Sequence, residues 1–457
     1  MIPHYALRPL RVLSLAGLVA LSPLQGCNTD KILAVTDPDI IPDVTSAAGA
    51  LALKNGVILR LAQVTAGLGG NGPDNLFIYG GLLADEFRSG DTFVQRNDMD
   101  QRRWDPTNTF LAGPFRSLNR VRAQGGSAVG ALRTYAPTPA SNIGMMFAFI
   151  AFAENLAGET YCNGIPLSSV VGSDIVYGDG VPYDSLFGLA IANADSALAN
   201  LAGPDSARVR QLASVVKGRA LVNRGLFPAA QAAVAQVGVK FRYEVTYSDI
   251  AGQNEIWNLN TSIKRYTVAD TEATIGLPFV SANDPRVPRK VGGPVFDSAL
   301  PITAALQGIW GQFSPVPIAT GIEARLIEAE AALRAGSYAT WIAILNTLRT
   351  DTTLYPAPQV GFARGPDLTN LTDPGAAPDT AARTNLMFYE RAFWLFSTGH
   401  RLGDLRRLIR QYGRDAATVY PNGDYLKGGS YGDAEMLPVP FDEQNNPKFT
   451  QCTNRNP

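Results

Sequence analysis

The 457-residue chain carries 39 basic and 40 acidic residues, a formal net charge of -1, which excludes the one-signed surface of a nucleic-acid binder. Charged residues make up only 17 %, while Gly and Pro number 44 and 31. That composition fits helices separated by long irregular insertions, in a chain with enough core for one large domain or two ordinary ones.

In chain order, the first element is a short basic leader (Arg8, Arg11), an apolar run from Val12 to Leu21 and then Leu24-Gln25-Gly26-Cys27. This is the layout of a secretory signal, and the run is too short to span a bilayer. The cysteine after Leu-x-Gly resembles the lipobox of bacterial lipoproteins, which implies lipid on Cys27 and a mature chain starting there. A plain signal peptide with a chance cysteine is the alternative. Asn28 after the lipid cysteine implies, by the same resemblance, the outer membrane. Residues 1–26 are thus read as signal, 27–45 as a polar, Pro-punctuated tether and 46–457 as a single folded body. Export places the remaining cysteines, Cys162 and Cys452, in an oxidising compartment, where a disulfide between them is expected, with two separate buried thiols as the alternative.

The body reads as mainly α. Ser46 to Thr65 is Ala-rich, with Leu51, Val57, Ile58 and Leu61 at helical spacing. Phe77 to Phe87 is a second apolar segment, ending beside Ala84-Asp85-Glu86. Residues 88–110 are polar and aromatic without period; further helices are expected from Phe115 and over Ile143 to Leu156. Tyr183 to Leu201 and Val209 to Val237 are amphipathic helices joined at Gly203-Pro204-Asp205, the second splitting at Asn223-Arg224-Gly225-Leu226-Phe227-Pro228. A helix, a Gly turn beside an aromatic and a second Ala-rich helix have the grammar of a tetratricopeptide unit. It returns over Ile322 to Leu348 around Ala335-Gly336-Ser337-Tyr338, where Ile322, Leu326, Ala329 and Leu333 form one stripe. Residues 240–317 and 351–383 break this pattern and are read as a loop-rich cap with a few short strands; the tail from Tyr412 is irregular.

Three further segments carry a family likeness. They are Glu323-Ala324-Arg325-Leu326-Ile327-Glu328-Ala329-Glu330 with the helix that follows; Glu390-Arg391-Ala392-Phe393-Trp394 running into Gly399-His400-Arg401 and Asp404-Leu405-Arg406-Arg407; and Leu437-Pro438-Val439-Pro440 with Glu443 and Asn446-Pro447. With the lipobox, in this order, they resemble the SusD/RagB family of outer-membrane nutrient-binding lipoproteins. The likeness covers essentially the whole mature chain, and Ser397, Thr398, Leu402 and Gly403 depart from the family's usual residues. It implies a tetratricopeptide-like scaffold and a surface-exposed lid that binds a glycan or other polar nutrient and delivers it to a TonB-dependent, SusC-like β-barrel transporter. Glu390, Arg391, Arg401, Asp404 and Arg406, flanking so apolar a face, are read as partly buried structural ion pairs.

Catalytic machinery is hard to assemble from these residues. His400 is the one histidine past the leader, so a multi-histidine metal site is excluded and a triad would need a residue of the structural motif. No phosphate-cradling or dinucleotide Gly loop is present. Asp85-Glu86, Asp98 with Asp100, and Asp284 remain loose candidates for paired carboxylates, and Asp98, Asp100 and Asp105 lack a calcium-loop signature. No catalytic residue, metal or cofactor is expected. A binder of polar ligands uses flat aromatic faces on loops, which singles out Phe93, Trp104, Trp257, Tyr266 and Trp310, with Trp104 open to a structural role. The rival readings are a glycoside hydrolase with paired acids and an envelope scaffold lipoprotein using tetratricopeptide grooves.

Overall fold

A computed structural model describes residues 44–69, 75–171, 174–375 and 381–456. Cys27, the leader and most of the tether lie outside these. The described part is mainly helical, and residues from Val44 onward group as one compact unit. The helices are α1 (Ala47–Thr65), α2 (Leu76–Leu83), α3 (Val94–Asp100), α4 (Ala112–Tyr135), α5 (Ser141–Thr160), α6 (Tyr183–Leu198), α7 (Ser206–Asn223), α8 (Phe227–Val234), α9 (Gly321–Arg334), α10 (Tyr338–Thr350), α11 (Ala381–Trp394) and α12 (Arg401–Tyr412).

Local chemistry sets many of their ends. Ser46, Asn75 and Thr320 each sit in extended backbone and accept a hydrogen bond from the N–H three residues on, capping α1, α2 and α9. Gly225 (φ +71°) and Gly336 (φ +72°) make the turns α7–α8 and α9–α10, and Gly413 closes α12 in the left-handed region. The resulting helices pack largely on their chain neighbours: α4 on α1 and α5, α5 on α6, α6 on α7, α7 on α8, α8 on α9 and α9 on α10. This is the stacked-pair scaffold read from the two Gly-split repeats. The apolar stripe of α9 buries Leu326, Ala329 and Leu333 against Trp341, Leu345 and Met387, a cluster that shields roughly 1.5–3 kcal/mol per large side chain from water.

α11 and α12 close onto this stack, α11 against α9 and α12 against α2 and α5. The turn between them passes Gly399 at φ +77°, where the Phe77 ring packs in the space a Cβ would need. Any L side chain there meets both obstacles.

Charge is buried at this closure. Glu390 is held between Arg286 and Arg349, at 2.7 and 2.6 Å, and Asp284 completes the Arg286 pairing at 2.7 Å. Arg391 makes a bidentate pair with Asp404 (2.8 and 2.9 Å), and Arg407 bridges Asp404 (2.9 Å) and Glu330 (2.5 and 3.0 Å). Arg401 forks onto Asp85 at 2.5 and 2.7 Å, fixing α12 to the end of α2. Burial alone would raise the Asp404 carboxyl, but Arg391 and Arg407 outweigh it and hold it well below the usual carboxylate range. The Arg406 expectation is corrected: it donates to the Gly158 carbonyl at 2.7 Å and makes no ion pair among the described residues. Arg407, three residues after Asp404, takes the ion-pair position because i and i+3 share a helix face.

The strands form two-stranded antiparallel ribbons: β1 (Phe87–Ser89) with β7 (Tyr266–Val268), β2 (Ile165–Pro166) with β5 (Gly180–Val181), β3 (Ser169–Val171) with β4 (Asp174–Val176), β6 (Arg242–Val245) with β10 (Val316–Thr320), and β8 (Arg289–Pro294) with β9 (Thr303–Gln307). Most lie in the irregular stretches, giving the cap of short strands. The tail is fastened to the stack: Cys452 is bonded to Cys162 with their Cα atoms 6.0 Å apart, and Thr453 N–H donates to the Asn163 carbonyl at 2.8 Å.

Candidate functional site

The β1–β7 ribbon pairs Ser89 with Tyr266, so the residues just beyond, Gly90-Asp91 on one side and Arg265 on the other, emerge together. Asp91 is buried there. Its carboxylate accepts from the Thr92 and Phe93 amides (2.7 and 3.3 Å), bonds Arg96 at 2.6 Å and pairs with Arg265. This carboxylate pins the chain entering α3 and presents Phe93, at the N-cap, outward.

The end of the β8 strand reaches the same place. Phe296 N–H donates to the Lys264 carbonyl at 2.9 Å and Asp297 N–H to the Gly90 carbonyl at 2.8 Å. Phe93 and Phe296 are 43 % and 44 % exposed, and the Arg265 guanidinium lies 4.6 Å from the first ring centroid and 3.8 Å from the second. Arg96 lies 5.3 Å from the Phe93 ring, and Phe110 meets that ring edge-on at 6.0 Å. Lys427 reaches in from the tail, donating to the Asp91 carbonyl and, at 2.7 Å, to Asn97 Oδ1; burial first, against its acidic neighbours, lowers its affinity for a proton. Two exposed rings gripped by an arginine held on Asp91, with Thr92, Asn97 and Lys427 at the margin, form a rigid surface. Such a surface stacks on the C–H face of a flat polar ligand while its margin hydrogen-bonds the ligand's edges.

The sequence-nominated aromatics divide. Phe93 stands on this face. Tyr266 is 1 % exposed, beneath the face, with the Arg96 guanidinium 5.8 Å from its ring; it offers no ligand platform, a correction that follows from the complete burial of β7. Trp310 is also buried, its indole N–H donating to Ser397 Oγ at 3.2 Å, so it is removed from the surface set. Trp104 is half-buried, with Arg455 4.3 Å from its ring, and Trp257 is half-buried at the start of a π-helical turn over Trp257–Ser262. Arg265 and Phe296 were missed. The signal available was an aromatic after the Gly292-Gly293 pair and a cation directly before the Tyr266-Thr267-Val268 run, both inside the aperiodic 240–317 stretch.

The loose carboxylate candidates are engaged elsewhere. Asp85 is forked by Arg401 and Asp284 by Arg286. Asp98 pairs with Arg103 at 3.1 Å, Asp100 accepts from the Tyr425 hydroxyl at 2.7 Å, and Asp105 accepts from Thr107, so these three turn to separate partners. Glu86 is wholly buried, accepting from the Ser397 amide at 3.0 Å, and burial pushes its carboxyl up to about 8. Among the described residues no three His, Cys, Asp or Glu side chains gather as a metal site, and no described helix is long and apolar enough to cross a membrane.

No protein-family model matches the sequence, and no curated protein does either. Solved structures do match in fold. A SusD superfamily protein from Bacteroides fragilis superposes with a TM-score of 0.62 at 14 % identity, covering 89 % of this chain and 99 % of that one. One from Parabacteroides distasonis gives 0.61 at 14 % identity, covering 90 % and 100 %. A SusD-like carbohydrate-binding protein from Bacteroides vulgatus gives 0.55 at 12 % identity, covering 79 % and 83 %.

Proposed function

We propose that this chain, which has the SusD-superfamily fold, is a non-catalytic binding lipoprotein of the outer membrane that captures a glycan on the Phe93–Phe296 face. The observation that carries the reading is that pair of exposed rings, fixed by a buried Asp91 through Arg96 and Arg265. The binding role of the Bacteroides vulgatus structural neighbour supports the same ligand class. Lipid on Cys27 would hold the body at the membrane, since acyl chains contribute about 0.8 kcal/mol per buried CH₂. Delivery then falls to a TonB-dependent barrel of the SusC type, docked against the helical stack and leaving the cap to the ligand. Binding without bond-making accords with carboxylates that are already spent on arginine, tyrosine and threonine partners.

Affinity electrophoresis of the mature protein through gels containing single polysaccharides tests this reading. At least one glycan is expected to retard the wild type, and the double variant Phe93→Ala/Phe296→Ala to lose that retardation by about 10-fold or more, at roughly 1 kcal/mol per stacked ring. Equal retardation of the two proteins contradicts the assignment of the face.

A further inference from the structure

A second concavity lies away from the Phe93–Phe296 face, between the β6–β10 ribbon, the loops at 309–315 and 353–357, and the end of α11. Its volume is about 410 Å³, within the range of small-molecule sites. Its walls are largely apolar and include the rings of Trp310, Tyr355, Phe393, Trp394 and Phe396, all buried.

The polar groups of this cavity are largely committed. Arg286 is spent on Asp284 and Glu390, and Arg242 pairs with Glu244 at 2.8 Å. Glu323 is forked by Arg219 (2.7 and 2.8 Å), and His400 is held between Thr398 (2.8 Å) and Glu323 (3.3 Å). Trp394 differs. Its side chain is 9 % exposed, and its indole N–H has no hydrogen-bond partner among the described residues. A buried donor left unmade costs about 1–3 kcal/mol, a cost that a ligand oxygen would relieve. At the rim, Lys240 is exposed.

We infer that this cavity is a second binding site, for a small aromatic compound carrying an oxygen acceptor that receives the Trp394 indole N–H. A sugar fits it poorly. Several hydroxyls would lose water there and meet few uncommitted polar groups, and each unpaired hydroxyl costs free energy. An aromatic ring satisfies the walls, one phenol or carboxylate oxygen satisfies Trp394, and a carboxylate reaching the rim would face Lys240. The site does not depend on the glycan reading, since it shares no residue with that face.

Isothermal titration of the full-length protein with 4-hydroxybenzoate tests the inference, with maltose and toluene as comparators. One saturable site for 4-hydroxybenzoate is expected, tighter than toluene. Trp394→Phe, which keeps a ring and removes the N–H, is expected to weaken it about 3- to 10-fold, one net hydrogen bond. Trp394 also packs on Tyr355 and Arg286, so the thermal midpoint of Trp394→Phe is measured alongside to show that it is folded at the titration temperature, and its retardation by glycan gels is expected to be unchanged. Absence of saturable binding, equal affinity in wild type and Trp394→Phe, or maltose displacing 4-hydroxybenzoate would each overturn the proposal. A bulky variant of the wall, Ile309→Trp, provides a second check: it fills the cavity and is expected to abolish binding, and unchanged binding there counts against the site.

Discussion

Arg391→Ala is expected to lower the unfolding free energy by about 3–5 kcal/mol, the cost of leaving a buried charge without its partner. Arg391 supplies two of the hydrogen bonds on Asp404, and its guanidinium also lies 3.8 Å from Glu330. With Arg391 gone, Arg407 alone must neutralise both carboxylates. The deficit has a pH signature. Asp404 has a depressed affinity for protons in the folded wild type, so it stabilises the fold above its unfolded value near 3.8, and that contribution is lost as pH falls further. In the variant the depression is reduced, so the gap between variant and wild type narrows on acidification. Replacing both partners, Arg391→Leu with Asp404→Leu, is expected to cost less than the two single changes summed, because no charge is orphaned. Urea melts at pH 7 and at about pH 2.5, below the unfolded carboxylate value, measure all of this. Additive losses that do not change with pH would contradict the coupling.

The disulfide carries the second large effect. Cys162→Ser/Cys452→Ser is expected to destabilise the protein by about 2–5 kcal/mol, since the bond closes a separation of 290 residues and long loops lose the most chain entropy on cross-linking. The loss should begin locally. The tail is otherwise tied at this point by the Thr453–Asn163 hydrogen bond and by short bridges pairing Tyr161 with Leu437 and Asn163 with Asn454. Hydrogen exchange at the Thr453 and Leu437 amides should therefore accelerate more than exchange in α5. Calorimetry of the wild type against the double serine variant measures the total, and an unchanged transition would show that the bond contributes nothing to the native balance.

These two effects also mark what the sequence made legible. The helix pairs were readable because Gly225 and Gly336 interrupt strong 3.6-residue stripes, and the turns then form where φ must be positive. α3 was not readable. Val94 to Asp100 has no apolar stripe; it is helical because Asp91 fixes its start and because Arg96, Asp98, Met99 and Asp100 are buried by neighbours remote in sequence. Arg406 was assigned to an ion pair that belongs to Arg407, a choice that the i, i+3 relation to Asp404 would have settled.

The site was partly legible for a related reason. Aromatics in aperiodic stretches were read as exposed, which holds for Phe93 and fails for Tyr266 and Trp310. In the 240–317 stretch β7 is buried along its whole length while β8 is exposed, and the pairing of Ser89 with Tyr266 sets that ring beneath the face. Composition carries no record of which ribbon is covered. Arg265 and Phe296 become a unit only when β7 and the end of β8 meet at Gly90.

We propose that this protein grips a glycan on the Phe93–Phe296 face and releases it unaltered. The most direct test is calorimetric titration of the mature protein with the glycan that retards it in gels, followed by mass spectrometry of the recovered sugar. A saturable heat is expected that disappears in Phe93→Ala/Phe296→Ala, with the glycan recovered at its original length. Shortened products that vanish when a single Asp or Glu is replaced would contradict it.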